Sequence, residues 1–487
     1  MLLNGGDPAT GPVPEIGPAF EERPHPSFTS VNAPRPDGTN SGAQRGDTKP
    51  KIVIQGWYGN GNLGDEVILE CMLSELRGHF PGASFVVISD DPEDTRRRHG
   101  VKSIVRGGSR IQRLRRFQTL ADANLFVLGG GELLKQYGSS DLSVLTWLGP
   151  LELAHEMGVP TMTYALGVSD RLSPRAEAAM KDTLSKTDAV LVRDQQSLDV
   201  LKRVGVPGAT LTADPAILSP ELHPSGRRQA SPDGLRVSVF VNQWFVTRSV
   251  VPDLESWERF KKGLAECVDT LIESYRATVR FIPMQVAEIG EDDRAVAREI
   301  AGLARNRDLV EVREGEVSAE EVISLISESN LVIGMRLHSL ILAASLGVPA
   351  VGIEYQSKVR RFCYSIGTSD WTVGIMDSSP DLIQNLCKRV ILGEYPLAQV
   401  RERVHALQDL ARENARVAAA LISRPRSRSN RISRMARGSI EVARRALGKK
   451  EQKQAPESVI PVNALEPNHE GETSPSRSAP NGRVGQA

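Results

Sequence analysis

The strand, glycine loop and helix at residues 51–80 constrain this chain more than any other feature. KIVIQ at Lys51–Gln55 is a short apolar run, and GWYGNGNLGD at 56–65 is a glycine-rich loop. Leu69, Leu73, Leu76 and Phe80 then recur at helical spacing on one face. An apolar run that leads through glycines into an amphipathic helix is the opening of a parallel α/β unit. The alternation continues, with apolar runs at 85–89, 125–128, 161–166 and 189–192, and a further candidate at 209–212. A stretch at 221–234 carries Pro, Ser, Gly and Arg and reads as a linker. A second series of strands follows at 236–241, 278–283, 331–333 and 350–353, with helices at 257–275 and Leu337–Leu346 and a last helix at 400–421.

A chain of 487 residues is too long for one ordinary domain and suits two of roughly 150–200 residues with tails. The expected architecture is α/β, with two Rossmann-like parallel-sheet domains, 51–220 and 235–422, facing a cleft. Residues 1–50, rich in Pro, Gly, Ser, Thr and Asn, read as a disordered extension, and 423–487 as a basic and then polar tail. Ligands of such sheets sit at the carboxyl ends of the strands, so the polar residues after each strand are the candidates for function.

Charge and cysteine usage exclude several classes. Basic and acidic residues number 60 each, which speaks against a nucleic-acid partner. Cys71, Cys267, Cys363 and Cys387 form no C-x-x-C pair and no metal-ligand spacing, and read as core thiols of a reducing compartment. No compact carboxylate or histidine cluster suggests a metal. No run approaches the ~20 apolar residues that span a bilayer, and the N-terminus lacks the basic start and apolar run of a secretory signal. The expected location is the cytoplasm. The basic segment 424–450, with Ile432, Met435, Ile440, Val442 and Leu447 interspersed, leaves two readings open: a helix docking at the inner face of the membrane, or a solvated tail.

Six loops carry the candidate chemistry. In the first, glycines including Gly64 allow close approach, Asn62 and Asp65 are polar, and the helix start favours an anion, although Asp65 could equally be a helix cap. The second is GGGE at 129–132, with Gly130 for close approach and Glu132 for a sugar hydroxyl or a helix start. Third, Arg193 ends an apolar strand, where its planar fork suits phosphate or carboxylate, with Asp214 positioning it or a hydroxyl. Gln285 follows the strand TVRFI as a ligand contact or a satisfied loop amide. The fifth and sharpest loop is GMRLHS at 334–339. Arg336 and His338 share a strand-to-helix junction with Ser339, and a histidine there can move a proton near neutral pH. Sixth, Lys358 in EYQSK adds positive charge or is a surface lysine. Together Arg193, Arg336, His338 and Lys358 describe a pocket for a small, multiply anionic molecule, which phosphoenolpyruvate and a nucleotide sugar satisfy equally.

The ordered set GNGNLGDEVIL (59–69), GGGE (129–132), LVRDQQSLDVLKRVGV (191–206), DPA (214–216) and GMRLHSLILAASLGVPAVGIEYQSKV (334–359) resembles the polysaccharide pyruvyl transferase family. The resemblance covers about 51–360. It implies a GT-B-like pair of Rossmann-like halves, with phosphoenolpyruvate as co-substrate and no cofactor. It also implies transfer of the enolpyruvyl group onto a sugar of an exopolysaccharide or cell-wall polysaccharide precursor, lipid-linked or not, as a pyruvate ketal. It assigns donor contacts to Arg336 and His338, matches Arg193 to the family's R-D-x-x-S arginine, and places 61–65 on the acceptor side. A GT-B glycosyltransferase and a non-catalytic assembly scaffold remain the competing readings at this stage.

Overall fold

Strand β1 (Lys51–Gln55) lies at the centre of a five-stranded parallel sheet because its inward residues are all apolar: Ile52, Val53 and Ile54 are fully buried. Each such side chain contributes about 1.5–3 kcal/mol through burial. The computed structural model describes residues 49–136, 140–224, 234–243, 253–286, 292–376, 379–424 and 431–454. The sequence expectations for 1–48, for most of the 221–234 linker and for the chain beyond 454 lie outside them, as do Arg426 and Arg428.

The remaining strands of this sheet are β2 (Ser84–Ser89), β3 (Lys102–Val105), β4 (Leu125–Gly129) and β5 (Thr161–Tyr164), in the order β3-β2-β1-β4-β5. Two short strands, β6 (Leu191–Val192) and β7 (Thr210–Leu211), pair with each other, and bridges Met162–Ala189 and Leu166–Val192 attach them beside β5. The second sheet has six parallel strands: β8 (Arg236–Phe240), β9 (Thr278–Phe281), β10 (Val310–Val312), β11 (Leu331–Gly334), β12 (Ala350–Glu354) and β13 (Thr372–Gly374). Their order is β10-β9-β8-β11-β12-β13. In both sheets the strand order reverses beside the first strand, between β1 and β4 and between β8 and β11. Such reversals open a crevice at the carboxyl edge. The α/β expectation with two Rossmann-like sheets is therefore borne out.

The two sheets share a core. Apolar residues of the helices Leu63–His79, Leu337–Leu346 and Leu397–Ser423 join one buried cluster with both sheets' strands. The helix Leu397–Ser423 packs on Leu63–His79 and on the short 3-10 turn Pro215–Leu218, so the end of the chain returns to the first sheet. Asn414 on this helix is fully buried, and its Oδ1 accepts hydrogen bonds from the Ala165 N–H at 3.0 Å and the Thr212 hydroxyl at 3.1 Å.

A further helix, Arg431–Gln454, follows where sequence reasoning left membrane docking or a solvated tail open. It packs on the helices Arg110–Ala121 and Leu142–Glu156 of the first half. Arg434 donates to the carbonyl of Ala123 at 2.6 Å, and Arg431 pairs with Asp122 at 2.7 Å. Part of the basic charge is thus used within the molecule. Among the described residues no helix is long and apolar enough to cross a membrane.

Candidate functional site

Loops from the carboxyl ends of both sheets line one cavity of about 690 Å³. Asn62, Asp65, Glu132, Arg193, Gln285, Arg336, His338 and Lys358, all singled out from the sequence, lie on its wall. Both halves contribute, and two loops meet across the cleft. The Leu63 N–H donates to the Met284 carbonyl at 2.8 Å, and the Gln285 side-chain amide donates to the Asn60 carbonyl at 2.8 Å. Gln285 therefore clasps the loops together while lining the cavity.

The glycine loop is built to bring Asp65 and His338 together. Asn62 caps the helix Leu63–His79 by accepting the Gly64 N–H at 3.0 Å, which assigns the cap to Asn62 and releases Asp65. The buried Glu66 carboxylate accepts the Gly59 N–H at 2.8 Å and binds His99 Nε2 at 2.7 Å, tying the loop down. A Cβ on Gly64 would stand 2.0 Å from His338 Nδ1, so the imidazole rests against the bare backbone of this glycine. Gly64 makes room for His338; it is absent from the cavity wall itself.

Gly64, Gly130, Asp214 and Ser339 are absent from the cavity wall, and the structure shows what each of them does instead. Gly130 has φ +65°, and a Cβ there would meet Ile68 at 2.2 Å, so it packs inward and Gly131 takes the cavity side. Ser339 is fully buried and donates its hydroxyl to the Arg336 carbonyl at 2.6 Å, closing the first turn of its helix.

The arginines are held by carboxylates. Arg193 Nη1 donates to Asp214 Oδ2 at 2.9 Å. Arg336 Nε donates to Asp293 Oδ2 at 3.1 Å, and its Nη2 binds the other oxygen, in the fork geometry that orients a guanidinium. Asp293 also accepts the N–H groups of Met284 and Gln285, both at 3.0 Å. Gly167 supports Arg193 from below, since a Cβ there would lie 3.0 Å from its Nε and 2.9 Å from the Glu132 Cα. Lys358 differs from both arginines. No ion pair or hydrogen bond links its ammonium to a carboxylate among the described residues, and Nζ lies 5.6 Å from the Tyr355 ring. Burial pushes its pKa down, partly offset by Glu132.

Three carboxyls of the site have different electrostatics. Burial pushes Asp65 up to about 6, against the pull of His338. Burial would also raise Glu132, but Lys135, Lys358, Arg193 and Arg361 outweigh it and hold the group at about 2. Asp214 is likewise held at about 2, because His338 and Arg193 overcome its burial. His338 Nε2 lies 3.7 Å from Asp214 Oδ2.

Sequence reasoning missed Asp293, which opens the helix Asp293–Leu303 but orients Arg336 from 43 positions away. It missed Arg361, whose Nη2 crosses the cleft to Glu132 at 3.3 Å and Asp194 at 3.5 Å. It also missed Trp57, Arg106 and Trp147 on the cavity wall, although Trp57 lies inside the glycine loop it had singled out.

The architecture defines a two-sheet α/β protein of the GT-B-like class, with a cleft lined by cationic side chains, carboxyls and a histidine at the strand ends. Solved structures agree on the fold. One of a UDP-N-acetylglucosamine 2-epimerase aligns with a TM-score of 0.53 and 12% identity, covering 78% of this chain and 98% of that one. S. aureus MnaA with UDP aligns with a TM-score of 0.52 and 11% identity, covering 78% of this chain and all of that one (100%).

The polysaccharide pyruvyl transferase family model matches residues 62–357, and the chain belongs to that family. This makes it a transferase of polysaccharide biosynthesis and bears out the resemblance carried by the five motifs. A curated relative, the amylovoran biosynthesis protein AmsJ of Erwinia amylovora, is 21% identical over 294 residues, which is 53% of this chain and 69% of that protein.

Proposed function

We propose that the protein transfers the enolpyruvyl group of phosphoenolpyruvate onto two hydroxyls of a sugar as a cyclic pyruvate ketal and releases inorganic phosphate. The observation that carries this reading is the meeting of Arg193, Arg336 and Lys358 with His338 and Asp65 on one cavity wall. A small dianion with a carboxylate and a phosphate needs such a set of cations. Protonation of its CH2 carbon needs an acid beside them.

In this reading Lys358, which makes no ion pair with a carboxylate among the described residues, takes the phosphate, and the pre-oriented Arg336 and Arg193 take the remaining donor oxygens. Preorganised charge of this kind stabilises a leaving phosphate at no reorganisation cost. His338 protonates the CH2 carbon, which becomes the methyl group. Asp214 provides the counter-charge to the imidazolium, the role a carboxylate plays behind a catalytic histidine. The adjacent carbon becomes electrophilic, and one sugar hydroxyl adds to it. A second hydroxyl then forms the other C–O bond as the bond to phosphate breaks. The two protons lost by the hydroxyls balance the one gained by the methyl group and the one gained by phosphate.

A base must take the protons of the acceptor hydroxyls, and of Asp65, Glu132 and Asp214 it is Asp65 that fits best. Glu132 and Asp214 are both held at about 2 by neighbouring cations, whereas Asp65 sits at about 6. A general base works best with a pKa near the operating pH. An acceptor that belongs to a polysaccharide precursor accords with the family and with the relative named for amylovoran biosynthesis.

The test is to incubate the full chain with phosphoenolpyruvate and a saccharide-lipid extract of its source organism, following phosphate release and the mass of the acceptor. Acceptor-dependent phosphate release with a pyruvate ketal on the sugar is expected. Glycosyl transfer from a nucleotide sugar, with phosphoenolpyruvate untouched, would overturn the proposal.

A further inference from the structure

The cavity has a second end, built only from the first sheet. Trp57 follows β1, Asp90 follows β2, Arg106 follows β3, and Trp147 lies on the helix Leu142–Glu156. All four line the same wall as the anion-binding groups. In the order β3-β2-β1-β4-β5 these strand ends lie towards the β3 edge. The cavity therefore runs along the carboxyl edge of the sheet, away from Arg193 and Glu132 at its β4–β6 side.

This end is aromatic and close to neutral. The Trp57 and Trp147 rings meet edge to face, with centroids 6.1 Å apart. The Arg106 guanidinium carbon lies 4.8 Å from the Trp57 ring centroid and 4.5 Å from that of Trp147. Asp90 binds Arg106 through both its oxygens, with Nε donating at 2.8 Å, and accepts from the Asn60 side-chain amide at 2.6 Å. Trp147 is buried, whereas Trp57 is 37% exposed at the cavity. Trp57 thus keeps part of its ring open to a ligand in the cavity, beside groups that can hydrogen-bond to it.

We propose that Trp57, Trp147, Arg106 and Asp90 form the acceptor subsite and bind a neutral pyranose. The inference rests on the transferase reading, which requires a sugar with two reactive hydroxyls in the same cavity as the donor. The Trp57 ring offers an apolar face to the C–H face of the sugar. Asp90, Asn60 and Arg106 offer acceptors and donors to its hydroxyls. Because Asp90 already neutralises Arg106, this end has little attraction for a second phosphate. That separates an uncharged saccharide from a nucleotide.

The probes are methyl β-galactoside, methyl β-glucoside, methyl α-mannoside and N-acetylglucosamine, with uridine monophosphate as the contrast. Binding to the full chain is followed on the ligand side by saturation-transfer NMR, and phosphoenolpyruvate binding separately by calorimetry. Wild-type protein is expected to bind at least one of the four sugars saturably. Trp57→Ala should weaken that binding by about tenfold or more, Trp57→Phe should retain most of it, and both should melt as cooperatively as wild type. Phosphoenolpyruvate binding should be the same in all three proteins. Binding of none of the sugars by wild type, unchanged sugar binding in Trp57→Ala, or a preference for uridine monophosphate at this end would each overturn the subsite. Sugar binding that depends on Trp57, in a protein that fails to bind phosphoenolpyruvate, would instead sustain the subsite and remove the donor assignment.

Discussion

His338 Nε2 and Arg193 Nη1 converge on a single oxygen, Asp214 Oδ2, at 3.7 and 2.9 Å. One carboxylate thereby aligns a histidine of the second half with an arginine of the first. Asp214 also caps the turn Pro215–Leu218 by accepting the Ala216 N–H at 3.1 Å. Asp214→Ala removes the nearest counter-charge of the buried arginine, leaving Asp194 at 3.8 Å, and should cost up to about 3–5 kcal/mol in urea unfolding. Asp214→Asn should fold better and still lose most transfer. The Asp214 pKa is held at about 2 when folded, below its unfolded value of about 4. Its stabilisation is therefore complete above about pH 4 and fades as the pH falls towards 2.

Gly64→Ala tests the contact between backbone and imidazole. The added methyl would lie 2.0 Å from His338 Nδ1 and must displace the ring. The substitution lies within a helix, so the protein should remain folded. Misplacement of a catalytic group by about 1 Å can cost about 10²-fold, and kcat should fall on that scale. An unchanged kcat would show that the position of His338 does not matter.

Asp65 links function to an intrinsic loss of stability. Its pKa, raised by burial to about 6, exceeds the unfolded value of about 4, so the folded state binds the extra proton between those values. Stability from this group is present below about pH 4 and is lost as the pH rises to 6. At pH 7, Asp65→Asn should therefore stabilise the protein by up to about 2–3 kcal/mol. The same variant should abolish transfer. In the wild type, kcat/KM should fall as the pH drops through about 6, the pH at which Asp65 of the free protein takes up its proton. A profile flat across this range would exclude Asp65 as the base.

Asn414→Ala tests how the last long helix secures the first sheet. It removes the acceptor of the buried Ala165 N–H and of the Thr212 hydroxyl. An unsatisfied buried donor costs about 1–3 kcal/mol, and a loss in that range is expected from the urea midpoint. Asn414→Asp, which keeps an acceptor oxygen, should recover part of it only at low pH, where the carboxyl is neutral, because an ionised carboxylate is costly in this fully buried place.

Much of this fold was legible because buried parallel strands write themselves as apolar runs. β1 and the helix Leu337–Leu346 fall where the sequence places them. β3, β10 and β13 were not read, because KSIV, VEV and TVG are short and partly exposed. All three are edge strands: β3 of the first sheet, β10 and β13 of the second. At the site, residues next to strand ends were legible one by one. Their pairings were not. Nothing in the spacing joins Arg336 to Asp293, or Arg106 to two tryptophans, since those contacts depend on how distant loops converge. Gly130 and Ser339 look like ligand contacts in sequence because helix-start and tight-turn residues resemble anion-binding ones.

In the proposed reading the cavity binds phosphoenolpyruvate through Lys358 and the oriented Arg336 and Arg193. Calorimetric titration of phosphoenolpyruvate into wild-type, Lys358→Met and Arg336→Ala protein tests it most directly, with a uridine diphosphate sugar as the control ligand. The account predicts saturable binding to wild type, weakened about tenfold or more in Lys358→Met with no loss of thermal stability, and abolished in Arg336→Ala. Binding of the nucleotide sugar but not of phosphoenolpyruvate, or unchanged phosphoenolpyruvate affinity in Lys358→Met, would contradict it.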